Sequence, residues 1–427
     1  MVHQSKVSSV DKSIGIKNVN CIIIHDHILT ESIAFINMQK KNEPTSTESS
    51  LMTYSQFYFK ITIKENWMLK IVLKVFIIFA AVFFVALISY FAYILLSYSR
   101  IADNLSLETD GSYSKEKISC GTTYTLTSAN IGFGAYSQDF SFFMDGGKYS
   151  WAYSKEEVEK NVRGSVASLL KFNPDFFLFQ EVDFDSTRSR HVDERKIISD
   201  EISRSLGSSN TVFAQNYDSA FLFWPPTQPH GSNKSGIMIA TRYRAYDSLR
   251  RSFPIETGLS KFLDLDRCFM KTHIDVDNGK KLVLYNTHMS AYTTDAETST
   301  RQIEMLNNDM MEEYGKGNYI ICGGDLNREV MEGMSKYFGF ESNGLNWTKT
   351  FPFEKLDAHL KLIPPVNLEH PIPTVRDTED PWNGKNFVTV IDGFIVSDNV
   401  EVVKADVIDN NFMYSDHNPV YMDFILK

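Results

Sequence analysis

Residues 75–97 read Val-Phe-Ile-Ile-Phe-Ala-Ala-Val-Phe-Phe-Val-Ala-Leu-Ile-Ser-Tyr-Phe-Ala-Tyr-Ile-Leu-Leu-Ser, with no charged side chain among them. A helix of that length crosses roughly 30 Å of hydrocarbon. A buried core helix is the competing assignment, but an uncharged run this long favours a membrane span. Lys64, Lys70 and Lys74 precede the run, whereas Arg100 is followed by Asp103, Glu108 and Asp110. The positive-inside rule then places the amino terminus in the cytoplasm and everything after the span outside the cell. A cleaved signal peptide would have a shorter apolar core ending at a small-x-small site, and none stands before Arg100. The expectation is an uncleaved, single-pass anchor in the cell membrane.

The span organises the rest. Residues 1–67 show no coherent helical or strand period, and Met68-Leu-Lys-Ile-Val-Leu-Lys reads as the natural opening of an anchored protein. Translation is therefore expected to start at Met68, leaving 1–67 as an extension that is not translated; amino-terminal sequencing of the native protein checks this. Residues 68–100 form the cytoplasmic flank and anchor, 101–117 a polar linker, and 118–427 a folded domain. With 43% hydrophobic and 22% charged residues, the 427-residue chain is neither disordered nor a multi-span membrane protein.

Residues 1–100 carry 10 Lys and Arg against 6 Asp and Glu, leaving 33 against 47 in the remainder. That acidic balance counts against nonspecific nucleic-acid binding, which needs cations to displace phosphate counterions, while leaving a local basic groove open. Cys21, Cys120, Cys268 and Cys322 form no CxxC pair or zinc-spaced cluster. They read as small core residues, with a disulfide among the last three open outside the cell.

Within 118–427, short segments rich in Val, Ile, Phe, Tyr and Leu predict strands at 122–130, 175–180, 211–214, 219–223, 236–241, 268–276, 281–287, 318–323, 388–396, 400–408 and 419–426. Helices are predicted at 155–171, 191–206 and 295–314, the last capped by Asp295 with Ile303, Leu306 and Met310 as its apolar stripe. Many strands with few helices predict an α/β fold of two packed sheets flanked by helices.

Polar residues recur at the ends of the apolar strands, where burial is costly unless each meets a partner or a cation. Asn130 ends Tyr124–Asn130, Glu181 ends Phe176–Glu181, and His288 ends Leu282–His288. Asp325 and Asn327 follow Tyr319-Ile-Ile-Cys-Gly-Gly, whose glycines let the backbone turn and approach a ligand. Asp416-His417 opens the last strand, and Asp392 sits inside Val388–Val396, where a charge needs a reason. Hard oxygen donors with imidazoles suit Mg²⁺ or Mn²⁺ rather than a cysteine-built zinc site.

Asn130, Gln180-Glu181-Val182, Asn286-Thr-His288-Met-Ser290, Gly323-Gly-Asp325-Leu-Asn327, Ile391-Asp392-Gly-Phe and Ser415-Asp416-His417-Asn-Pro419 together resemble the endonuclease/exonuclease/phosphatase superfamily, in its motif order. The resemblance covers essentially all of 118–427 and implies a four-layer sandwich of two mixed β-sheets flanked by helices. By that resemblance Glu181 is the main metal ligand, Asn130 helps hold metal and phosphate, and Asp416 is a second metal-side ligand. Asp325 orients or activates the attacking water, and Asn327 binds the phosphoryl oxygen. His417 is the general base, Asp392 orients its ring, and His288 stabilises charge on the phosphate or its leaving group. Lys234-Ser-Gly236 and Arg267 resemble positions beside the site. His191, His230, His273 and His359 have no such context and are expected at the surface or satisfied in the core.

The implied reaction is metal-dependent hydrolysis of a phosphodiester by in-line attack of water. Asn-Thr-His288 resembles the branch containing secreted deoxyribonucleases and sphingomyelinases. The anchor and the acidic domain favour a lipid headgroup over nucleic acid, with Phe221-Leu-Phe-Trp224-Pro-Pro a candidate to enter the bilayer interface or to pack on the sheet. An extracellular nuclease and a tethered, inactive binding module are the alternatives; no protein partner is predicted.

Overall fold

The computed structural model describes residues 48–256, 265–291, 296–341 and 346–427. The chain divides into two compact units, Met1–Ser89 and Tyr90–Lys427. What is described of the first unit belongs to one helix, Glu48–Ser97, whose Asn66–Ser97 portion is long and apolar enough to cross a membrane. Its large apolar side chains, Phe76, Phe79, Phe83 and Ile88 among them, are exposed, unlike those of a core helix. The helix starts well before the apolar run, and it includes residues 48–67, for which the sequence shows no period.

The second unit holds two mixed sheets. One runs Leu105–Leu107, Tyr246–Ser252, Cys268–Val276, Lys281–His288, Tyr319–Asp325, Asp392–Ser397, Leu360–Ile363, with Lys117–Ile118 added beside Cys268–Val276. The other runs Val400–Val407, Val420–Leu426, Thr123–Asn130, Phe176–Asp183, Lys234–Thr241, Ser209–Asp218, Thr109–Ser112. Period-two alternation explains how they pack. Phe176 and Leu178 point between the sheets and meet Met270, Leu282, Leu284, Ile321 and Phe394 from the facing sheet. Phe177 and Phe179 point the other way, onto Val158, Val162 and Ile198 of the helices Lys155–Leu170 and Glu194–Leu206. Val283, Tyr285 and Ile320 likewise meet Ile303, Leu306 and Met310 of the helix Ala296–Gly315. The layers are helix, sheet, sheet, helix, and each fully buried Phe or Leu contributes roughly 1.5–3 kcal/mol of transfer free energy.

Several expectations shift. Residues 105–112, expected in an exposed linker, pair into both sheets as edge strands, Leu105 opposite Arg250 and Thr109 opposite Val212. Residues 219–223 form no strand beyond a single bridge between Leu222 and Gly231. The 388–396 strand breaks at Val390–Ile391, because Ile391 N–H donates to Thr374 Oγ1 at 3.0 Å. Asp295, expected to cap a helix, lies outside the described residues. Cys120, Cys268 and Cys322 are free thiols.

Candidate active site

The strand pairings bring the polar residues to one end of the sandwich. Thr123–Asn130 and Phe176–Asp183 run parallel, as do Lys281–His288 and Tyr319–Asp325, so Asn130, Glu181, His288 and Asp325 leave their strands at the same end. His288 is directly opposite Asp325, and Asp325 is opposite Asp392 at the start of an antiparallel strand. The Phe176–Asp183 strand bulges between Phe179 and Val182, and Glu181 adopts a left-handed φ of 55°. A bulge of this kind re-aims a side chain out of the pleat. Between the sheets, Gln180 Nε2 donates to Asn286 Oδ1 at 2.7 Å, and Asn286 Nδ2 donates to Phe179 O and Met238 O at 3.0 and 2.9 Å. This buried bridge fixes the two strand ends that carry Glu181 and His288.

Asp325 is the hub. Its Oδ2 accepts from Asn130 Nδ2 at 3.2 Å and Asn327 Nδ2 at 3.2 Å, and lies 3.4 Å from His288 Nε2 and 3.9 Å from His417 Nε2. Its Oδ1 accepts from Asn327 N–H at 2.9 Å. Asn130 Nδ2 also donates to Glu181 Oε1 at 3.2 Å, while its oxygen accepts from Gly132 N–H at 3.0 Å. His417 Nδ1 is 2.9 Å from Asp392 Oδ2, and its N–H donates to Ser415 Oγ, which in turn donates to Asn130 O. The structure thus gathers Asn130, Glu181, His288, Asp325, Asn327, Asp392 and His417 into one connected group, with Asp416 adjoining through Ser415.

Two glycines make this backbone possible. Gly324 has φ +145°, and a Cβ there would lie 2.0 Å from Thr287 O of the neighbouring strand. Gly132 has φ +52°, and a Cβ would come within 2.9 Å of Asp416 Oδ1. Gly324→Ala is expected to destabilise the domain by about 3 kcal/mol, from backbone strain plus overpacking, measurable as a lowered urea midpoint.

Electrostatics follow from burial. Removal from water pushes the Glu181, Asp325 and Asp416 carboxyls above the ordinary carboxylate range, partly opposed by Arg188 at Glu181 and by the His417 charge at the other two. Burial also opposes charge on the His417 ring, but Asp392, with Asp325 and Asp416 behind it, outweighs that and lifts it to about 10. His288 goes the other way: burial, then the charges of Arg267 and His417, hold it well below its usual range. His417 therefore holds its proton more tightly than a free imidazole does. Among the described residues no three His, Cys, Asp or Glu side chains stand as a preformed metal site.

The group opens into a cavity of about 540 Å³ whose lining includes Glu181, His288, Asp325, Asn327, Asp416 and His417; Asn130 and Asp392 stand behind it. Three buried arginines, Arg188, Arg267 and Arg376, share the lining, as do Phe133, Tyr136, Phe142 and Trp347. Arg188 is held by a bidentate pair to Asp183 at 2.9 and 3.0 Å, and Arg376 donates to Ser137 O at 3.2 Å. Arg188 stands on a turn with no periodic signal and Arg376 on the two-residue strand Val375–Arg376, too short to show alternation, so both escape sequence inspection. His230 is also a correction: it lines the cavity, its Nδ1 has no hydrogen bond among the described residues, and burial lowers it to about 3. His191 and His359 are exposed and paired with Asp185 and Asp398, and Lys234 is 3.7 Å from Asp185.

The sequence model of the Endonuclease/Exonuclease/phosphatase family matches residues 129–417, which take in every residue of this group. No curated protein matches the chain. Among solved structures, the endonuclease/exonuclease/phosphatase from Beutenbergia cavernae DSM 12333 is 15% identical, with 71% of this chain and 72% of that chain covered at a TM-score of 0.46. The human Nocturnin catalytic domain with bound sulfate anion is 17% identical, covering 75% of this chain and 97% of its own at 0.43. D. rerio TDP2 complexed with single strand DNA product is 14% identical, covering 71% and 99% at 0.44.

Proposed function

This chain belongs to the endonuclease/exonuclease/phosphatase family, and from that premise we propose that it is a membrane-anchored, metal-dependent phosphoesterase that hydrolyses a phosphodiester by in-line attack of water. The observation that carries the reading is the convergence on Asp325 Oδ2, with Asn130, Asn327 and His288 within 3.4 Å and His417 at 3.9 Å.

Glu181, Asp416 and the second lone pair of Asn130 Oδ1 would hold Mg²⁺ or Mn²⁺. The fit rests on the donor set: hard oxygens, buried and pushed toward protonation by their removal from water. Mg²⁺ keeps several waters and needs only one or two carboxylates, so it does not require a preformed three-residue cage. When bound, the cation neutralises phosphate charge, stabilises the leaving oxygen and weakens the negative field that lifts His417.

The chain's own groups do the rest. Asp392 fixes the proton of His417 on Nδ1, which leaves Nε2 as the acceptor for the water proton and steadies the imidazolium that forms. Asp325 Oδ2, beside that nitrogen, orients the water. Asn327 reaches a phosphoryl oxygen by giving up its contact to Asp325, and neutral His288 donates to the phosphate or its leaving group. Arg188, Arg267 and Arg376 set a positive wall around the anion.

Ion binding should couple to pH in a stated direction. Because burial raises the folded-state values of Glu181, Asp325 and Asp416, their ionisation weakens the metal-free fold as pH climbs from the unfolded carboxylate range of about 4 through those raised values. A cation must displace those protons at low pH. Mg²⁺ at about 100 times its Kd is expected to raise Tm by roughly 5 °C at pH 8 and by less than half that at pH 5, read by a thermal melt in detergent.

The segment 75–97 serves as the anchor, and Lys64, Lys70 and Lys74 before it support a cytoplasmic amino terminus with the hydrolase outside the cell. A lipid headgroup is the favoured substrate, because the anchor confines the site near a bilayer and the net charge of −10 opposes nucleic acid. The test is a panel of sphingomyelin, phosphatidylcholine and plasmid DNA given to the full chain with Mg²⁺, Mn²⁺, Ca²⁺ or chelator. Phospholipid hydrolysis that stops with chelator is expected. Rapid DNA cleavage with phospholipids intact would assign the site to nucleic acid, and no hydrolysis of any substrate would leave a binding module.

A further inference from the structure

The segment after the Ser209–Asp218 strand displays aromatic side chains without a protein cover: Phe221, Phe223 and Trp224 are 40, 57 and 70% exposed. These three do not pack on the sheet. From Ser219 to Asn233 the chain carries no Asp, Glu, Lys or Arg, in a protein that is otherwise strongly acidic. The backbone of this segment is held by tyrosines from the last turns of the apolar helix. Tyr90 Oη accepts from Phe223 N–H at 2.9 Å and donates to Phe221 O at 3.2 Å, and Tyr93 Oη accepts from Phe221 N–H at 3.0 Å.

A second set of contacts ties the helix exit to the rim of the catalytic cavity. Arg100 Nε pairs with Asp266 Oδ1 at 2.7 Å, and Ile101 N–H donates to Asp266 Oδ2 at 2.5 Å. Asp266 lies between Leu265 and Arg267, both in the lining of the catalytic cavity. Tyr217 lines that cavity and also the small one at Ile94, Tyr98 and Arg100.

We propose that Phe221, Phe223 and Trp224 are a membrane-interface anchor that seats the mouth of the catalytic cavity against the outer face of the bilayer, so that the phosphodiester it takes is a lipid headgroup presented by that bilayer. This rests on the anchored-phosphoesterase reading above. The lipid interface is the occupant these observations favour over a protein partner. Tryptophan and tyrosine concentrate at headgroup depth, and charge is missing where it would oppose entry. The tyrosines that hold the segment belong to the helix that the bilayer itself would hold.

The test uses the full chain in phosphatidylcholine vesicles containing lipid brominated near the headgroup end of its acyl chains, with tryptophan emission read for the parent chain, Trp224→Phe and Trp382→Phe. Trp224→Phe is expected to remove a component that bromolipid quenches and aqueous acrylamide does not, while Trp382→Phe removes no such component. A Trp224 component quenched by acrylamide and untouched by bromolipid would overturn the proposal and place the segment in water, free for a protein. Retention of the chain on the vesicles through alkaline carbonate is read in the same samples. A retained chain with a water-exposed Trp224 overturns the seating alone, whereas a chain that washes off overturns the anchor as well.

Discussion

His417→Ala should lower kcat for an activated phosphodiester by about 10²–10⁴-fold, the range that a positioned general base supplies, with the fold intact. The ring is buried and lines the cavity, so truncation removes the imidazole that Asp392 orients beside Asp325. A structural role would show differently. Asp392→Asn keeps the volume and takes away the largest upward influence on His417. The acidic limb of the rate profile should therefore move to lower pH as kcat falls, because the ring loses its proton more easily. Equal rates for the parent and His417→Ala would contradict His417 as the general base.

Glu181→Gln should raise the Mg²⁺ concentration for half-maximal rate by at least about 10²-fold, since even partners behind metal ligands change affinity by about 10–100-fold when removed. The same substitution is expected to leave the metal-free fold as stable as the parent or more so at pH 8. Burial raises the folded-state value of Glu181, so its ionised form opposes folding above the unfolded carboxylate range, and a neutral amide of the same shape removes that opposition. Lost metal dependence with unchanged or higher Tm marks a ligand. Lost metal dependence with a collapsed Tm marks a structural residue.

The strand-end residues were legible in sequence because strands read by alternation, and a carboxylate at the end of an apolar run stands out against it. Tyr319–Asp325 and Phe176–Asp183 are such cases, and both sheets follow from segments of that kind. The edge strands were not legible. Thr109–Ser112 is Thr-Asp-Gly-Ser, exposed throughout, and is held by backbone pairing to Ser209–Asp218. Tyr246–Ser252 hides Arg250, whose guanidinium donates to Gln215 O at 2.7 Å and Ala102 O at 2.9 Å, contacts that no local pattern signals.

Within the site, the donor types were legible and their orientation was not. Asn130 carries its amide nitrogen toward Glu181 and Asp325, a matter of tertiary geometry, and the raised His417 depends on how many carboxylates burial gathers around it. The same holds for Arg188 and Arg376, which reach the cavity from a turn and from a two-residue strand. Conversely, 219–223 has strand composition and no strand partner beyond one bridge. Its two phenylalanines, Phe221 and Phe223, satisfy the composition of a core strand while both face outward, as does the adjoining Trp224.

Metal-assisted attack of water on phosphorus at the Asp325 and His417 group is the proposed reaction. Turnover of bis(p-nitrophenyl) phosphate by the purified full chain, with Mg²⁺ and then with excess chelator, tests it most directly. Steady hydrolysis is expected to fall to the uncatalysed rate with chelator and to return when Mg²⁺ is restored. Hydrolysis that continues unchanged in chelator would contradict it.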